Sequence, residues 1–200
     1  MTLRPDLAAI AELIAPRARV LDIGCGDGAL LAELRRTKQV DGRGIELQAA
    51  NVAAAVARGL SVVQGDADAD LADYPADAFD VAILSDTLQA MRAPATVLAE
   101  LLRIARAAIV SFPNFGHWRV RLALGFGGRM PVTRTLPVGW HETPNIHLCT
   151  IDDFRALATS LGVVVEAAAF LGDGRRIGSL AANLRADQAV FVLRRGGINP

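Results

Sequence analysis

At 200 residues the chain is long enough for one domain that buries about 70% of the surface its unfolded form exposes. Its apolar content is 52%, rich in Ala, Leu and Val, with only 5% aromatic residues, which suits helices packed on a sheet and disfavours a surface for stacking bases. Lys plus Arg equals Asp plus Glu at 21 each, so no net field draws the chain to phosphate backbones or anionic lipid, and neither nucleic acid nor membrane is expected as a partner.

In chain order, Met1-Thr2-Leu3-Arg4-Pro5-Asp6 carries no apolar leader. No later stretch approaches the ~18 apolar residues of a spanning helix, and a cytoplasmic location is expected. A short amphipathic helix follows from Pro5 to Ala15, with Leu7, Ile10, Leu13 and Ile14 on one stripe. Strand-length apolar runs near 18–23, 40–46, 60–65, 79–84 and 107–112 then alternate with helix-period segments near 28–37, 47–58 and 94–106. That alternation is the βαβ signature of a mostly parallel, doubly wound α/β sheet with helices on both faces. Residues 113–149 read as a long irregular excursion covering the ligand site, of a size usually reserved for functional loops. Regular structure resumes at Thr150, an N-cap with Asp153 at the third helical position, opening a helix over 151–161. Strands near 162–171 and 188–194 complete a single domain spanning 1–200. Cys25 and Cys149 are too few and too distant for a disulfide framework or a thiolate metal site, and read as buried small apolar residues.

The chemistry begins at Val20-Leu21-Asp22-Ile23-Gly24-Cys25-Gly26-Asp27-Gly28, a buried strand entering a Gly-rich turn that opens a helix. Glycines there permit positive φ and let a ligand approach backbone amides beside a helix N-terminus. The run also satisfies the dinucleotide pattern G-x-G-x-x-G/A. Charge separates the alternatives. A pyrophosphate would meet Asp22 and Asp27, each repelling it by about 1–4 kcal/mol at contact distance. The sulfonium and ammonium of S-adenosylmethionine would instead be attracted. Glu46 ends the second strand and can accept both ribose hydroxyls; Asp66 ends the third and can accept from the adenine amino group, with the Ala67 amide near the ring. The expected cofactor set is Asp22, Gly24, Cys25, Gly26, Gly28, Glu46, Leu47, Asp66, Ala67 and Ser85.

With Phe79-Asp80-Val81-Ala82-Ile83-Leu84 added, residues 15–112 resemble the class I S-adenosylmethionine-dependent methyltransferases, whose Rossmann-like fold has a seven-stranded sheet of order 3-2-1-4-5-7-6. Outside that half, Ser85-Asp86-Thr87-Leu88-Gln89, Ser111-Phe112-Pro113-Asn114-Phe115-Gly116-His117-Trp118, Arg129-Met130-Pro131 and Trp140-His141-Glu142-Thr143-Pro144-Asn145-Ile146-His147 are similar to the methionine biosynthesis MetW family over nearly the whole chain. That resemblance implies adenosylmethionine, with S-adenosylhomocysteine as a possible bound product, and homoserine O-acyltransferase as a partner. It does not settle methyl transfer.

The acceptor side is less defined. Leu84-Ser85-Asp86-Thr87 stands where an amide- or ring-nitrogen methyltransferase often carries N-P-P-Y, leaving O-, S- or C-acceptors, or none. Asp86 is a candidate base or a simple cap of the next turn, and His117 is a second candidate base. The spacings among His117, His141 and His147 suit no short helical ligand pair, so no metal is expected. Trp118, Leu122 and Phe126 recur at helical spacing, as core or as a surface buried by a partner. Three functions remain: companion of the acyltransferase, free-standing small-molecule methyltransferase, or cofactor-free docking relic.

Overall fold

Apolar residues at period two in the strands and three to four in the helices build one layered sheet. The computed structural model describes residues 3–196. Its elements are α1 (Pro5–Leu13), β1 (Arg19–Ile23), α2 (Ala29–Lys38), β2 (Asp41–Glu46), α3 (Ala49–Ala57), β3 (Ser61–Gln64), α4 (Ala67–Asp70), β4 (Phe79–Ser85), α5 (Pro94–Ile104), β5 (Ala105–Pro113), α6 (Trp118–Gly127), α7 (Ile151–Ser160), β6 (Val163–Gly172), β7 (Arg175–Ile177), α8 (Ala182–Arg185) and β8 (Gln188–Arg195).

The sheet order is β3-β2-β1-β4-β5-β8-β6-β7. β1 to β5 run parallel, and β8 and β6 close the sheet antiparallel. Eight strands therefore stand where seven are expected. The extra one is β7, which pairs with the end of β6 through three residue pairs after a turn at Asp173 and Gly174, both at positive φ. Three residues are too short a run for a periodic signal; without β7 the order is the expected one.

Successive strand residues face opposite cores. Leu21, Ile23, Leu84 and Phe112 pack with α5 and α7 on one face, while Val20, Ile83 and Ile109 pack with α1 and α2 on the other. α1 lies over β8, β6 and α2; it buries Ile10, as the chain just past it buries Ile14, but leaves Leu13 40% exposed. The N-cap at Thr150 is a full capping box: Thr150 Oγ1 accepts from the Asp153 amide at 3.1 Å, and Asp153 Oδ2 accepts from the Thr150 amide at 3.0 Å. The excursion is not wholly irregular, because α6 occupies ten of its residues. Gly125 and Gly127 within it, and Gly128 at its end, dilute helix propensity and hide it from composition. The Trp118, Leu122 and Phe126 stripe lies outside the core at 43%, 45% and 89% exposure, and Val120 is the buried residue of that helix. Cys25 is buried and Cys149 half-buried, both free.

Candidate functional site

Parallel β1, β2, β3 and β4 bring their carboxyl ends to one rim, and the turn after β1 crosses it. Gly24 and Cys25 donate their amides to the Ile45 carbonyl at 2.8 and 3.2 Å, and Gly28 closes the turn onto the Cys25 carbonyl at 3.0 Å. Gly24, Gly26 and Gly28 have φ of +69°, +55° and +75°, but they do different work. A Cβ on Gly24 would lie 2.6 Å from Thr87 Oγ1, and one on Gly28 would overlap Leu60. Those two glycines pack the turn against its neighbours. A Cβ on Gly26 would meet nothing within 4 Å, so this is where the backbone faces open space.

Two clefts meet at that turn. One, of about 450 Å³, is walled by Asp22, Cys25 and Leu7; the other, of about 600 Å³, by Glu46, Leu47, Asp66, Ala67 and Asp86, with Pro144 and Asn145 of the excursion across its mouth. Arg4, Gly24, Gly26 and Ser85 line both. Gly28 lines neither and serves the helix–strand packing.

Asp22 shares the Val20 face of β1 and is 3% exposed, without a hydrogen-bond partner for its carboxylate among the described residues. Burial pushes its carboxyl up to about 7; Arg4 opposes that rise and Glu46 adds to it. Glu46 spans the turn: Oε2 accepts from the Gly26 amide at 2.9 Å and Oε1 from the Gln48 amide at 2.9 Å. Asp66 caps α4 by accepting from the Asp68 amide at 3.0 Å, and its other oxygen holds Arg92 at 2.7 Å. Asp27, by contrast, does not serve the cleft with a free charge. It pairs with Arg58 at 2.6 Å and accepts from the Ala29 amide at 3.2 Å, so its charge is neutralised within the turn.

Asp86 sits just beyond β4 with a left-handed φ of +51°. It does not cap the next turn, since no backbone amide of that turn donates to its carboxylate. Asp86 Oδ1 accepts from Gln188 Nε2 at 2.9 Å, and Oδ2 lies 3.3 Å from Arg4. Burial, with Asp6 nearby, pushes its carboxyl above the usual range. His117 is not brought to the rim: it caps α6, its Nδ1 accepting from the Arg119 amide at 3.4 Å, and it lines neither cleft. Burial lowers its basicity. His141 is exposed beside Glu142, and His147 is tied through its amide to the Gln89 carbonyl at 2.9 Å. Among the described residues, no group of three or more His, Cys, Asp or Glu is placed to hold a metal ion, and no helix is long and apolar enough to cross a membrane.

Sequence reasoning missed Arg4 and Asp6. Asp6, in the first turn of α1, is 1% exposed, and its Oδ2 accepts from Arg4 Nη2 at 2.9 Å and from the Ser85 hydroxyl at 3.1 Å. An acid in a first helical turn normally reads as a solvated partner of the helix dipole, so nothing local marked this one as buried.

The sheet order and the glycine turn after its first strand, with acids closing three successive strands, are those of the Rossmann-like methyltransferase fold. A solved S-adenosylmethionine-dependent methyltransferase from Mesorhizobium loti shares this fold with a TM-score of 0.69 at 17% identity, covering 96% of this chain and 98% of that one. The family described as "Methionine biosynthesis protein MetW" matches residues 4–193, and the chain belongs to that family. It is 37% identical to the bifunctional methionine biosynthesis protein MetXA/MetW of Rhodopirellula baltica, over 98% of this chain and 33% of that protein. It is also 32% identical to a ubiquinone biosynthesis O-methyltransferase of Hahella chejuensis, over 64% of this chain and 56% of that protein. The chain thus spans about a third of the first relative's length and just over half of the second's.

Proposed function

We propose that the chain binds S-adenosylmethionine at this rim and acts as the companion subunit of homoserine O-acyltransferase. The observation that carries the cofactor reading is Asp22: a carboxyl group 3% exposed at the wall of the cleft, without a hydrogen-bond donor among the described residues, beside a glycine whose Cβ position is empty. Such an acid is costly unless a cation or donor arrives, and a sulfonium with an ammonium supplies both. A pyrophosphate in the same place would add negative charge to Asp22 and Glu46.

In this reading Asp66 and Ala67 receive the adenine and Glu46, with Leu47 beside it, the ribose. Gly24, Gly26, Asp22 and Ser85 receive the methionine end. Bound, the cofactor supplies an activated methyl group, or without transfer a charged report of methionine supply. The protein's own part is to orient it: Glu46 is fixed by two amides before any ligand arrives, which lowers the ordering cost of binding.

The companion role is supported by the Rhodopirellula relative, which carries a MetXA and a MetW part in one chain. The test is acyltransferase activity with and without this chain at varied adenosylmethionine. A change that saturates with adenosylmethionine is expected, and indifference to both additions would end the companion reading. The second reading, an active methyltransferase on a small O-, S- or C-acceptor, is favoured by Asp86 at the rim and by the O-methyltransferase relative. Time-dependent release of S-adenosylhomocysteine in cell extract tests it.

A further inference from the structure

We propose that the exposed face of α6 and the arginine-lined groove beside it are where the acyltransferase docks, and that the partner meets them with an apolar hollow rimmed by carboxylates; this rests on the companion reading above and adds the surface and the chemistry of the contact. α6 turns Val120 into the protein and two adjacent stripes outward. One is Trp118, Leu122 and Phe126; the other, one residue on, is Arg119, Ala123 and Gly127. The first is an apolar ridge, and Phe126 on it, at 89%, is the most exposed large apolar side chain among the described residues. The second lines a groove of about 510 Å³ whose other wall is residues 129–134.

Charge selects the partner's chemistry. From 113 to 141 the excursion carries four arginines and neither Asp nor Glu, in a chain whose acids and bases balance at 21 each. Three of the four, Arg119, Arg129 and Arg134, line the groove, and no acid does. Arg119 is held by Asp173 at 3.0 Å and Arg134 by Asp187 at 2.7 Å, while Arg129 pairs with no acid among the described residues. A guanidinium has five donors, so the two held ones keep donors to spare. The groove therefore suits a rim that supplies carboxylates, and Ala123 and Gly127 let that rim come close to the helix. Aromatic anchors beside arginines are also the side chains that carry most of the binding energy in protein interfaces. A second copy fits poorly, because a two-fold contact sets this face against itself and brings arginine to arginine. The surface is joined to the rim as well: Asp187, which holds Arg134, precedes Gln188, whose amide donates to Asp86 at 2.9 Å.

Calorimetric titration of the purified homoserine O-acyltransferase of the same organism with this chain tests the assignment, with a thermal melt of each variant as the control for folding. Phe126→Asp is expected to weaken the complex by at least about 30-fold and Arg129→Glu by about 10-fold or more, while Arg129→Lys stays within about threefold of the parent. Val56→Asp, on α3 against β2 and β3 at the opposite edge of the sheet, should leave the complex unchanged. Added salt should weaken the parent complex more than that of Arg129→Glu. A complex indifferent to both Phe126→Asp and Arg129→Glu, or weakened as much by Val56→Asp, overturns the proposal and leaves the companion reading standing. So does a face that serves something else while the acyltransferase complex is unmoved: a dimer in sedimentation that Phe126→Asp splits, or binding to phosphatidylglycerol vesicles that Phe126→Asp abolishes. No complex with the unsubstituted chain overturns the companion reading, and this proposal with it.

Discussion

Replacing Asp22 by Asn should stabilise the ligand-free protein at alkaline pH while weakening its hold on adenosylmethionine. Buried at 3% exposure, Asp22 has a folded carboxyl pushed up to about 7 from an ordinary 3.8. The folded state therefore keeps a proton that the unfolded state has lost at any pH between those values. Stability from this group is full below the unfolded value and declines as pH rises, levelling once the folded carboxyl has ionised near 7. From pH 5.5 to 8 that decline is about 2 kcal/mol. The Asn amide has nearly the same shape and does not titrate, so the gap between variant and parent isolates the charge from the shared cost of burying a polar group. Urea unfolding of both at pH 5.5 and pH 8, without ligand, measures it. The advantage of Asp22→Asn over the parent should grow by about 2 kcal/mol across that interval. A gap that stays constant or shrinks would show that Asp22 ionises freely and that its burial is not the source of the site's demand for a cation.

Three further outcomes are expected. Glu46→Ala removes the acceptor of the Gly26 and Gln48 amides, so it should lower adenosylmethionine affinity by about 1–3 kcal/mol in calorimetry and also lower the unfolding midpoint. Gly24→Ala should destabilise the fold more than Gly26→Ala in thermal melts, because only the first drives a methyl into Thr87; Gly26→Ala pays mainly the left-handed backbone cost of about 1–2 kcal/mol and should chiefly obstruct ligand binding. Phe126→Asp changes an 89% exposed side chain, so stability should move by less than about 0.5 kcal/mol while co-purification with the acyltransferase falls.

The fold was legible because long periodic segments carry it. Val20 through Ile23 alternates between two cores, and the strands and principal helices fall within a few residues of their expected limits. The acids at successive strand ends were equally legible, since β-sheet topology alone brings Asp22, Glu46 and Asp66 to one rim. What chain position does not carry is the partner each charge finds. Asp27 looks as ligand-facing as Asp22 until Arg58, 31 residues away, is seen to hold it. Arg4 and Ser85 are 81 residues apart and meet only because α1 folds back over β8 and β6. For α6 the helical spacing of Trp118, Leu122 and Phe126 was legible but the side it faces was not: the stripe points away from the core, so the usual link between periodicity and burial gives the wrong side.

A cofactor can control a partner only if some contact differs between its bound and free states. The rim is joined to the excursion by a chain of such contacts. Arg4 bridges Asp6 to Asp86, Asp86 is tied to Gln188 at the start of β8, and the neighbouring Asp187 holds Arg134 of the excursion at 2.7 Å. Those links run from the clefts to the segment that also bears the exposed face of α6. Methyl transfer asks something different of the same residues, because Asp86 would have to exchange its Gln188 or Arg4 contact for an acceptor's proton. The two readings therefore make opposite demands on one carboxylate. A companion needs Asp86 to keep its links as ligand enters, and a methyltransferase needs it to give one up.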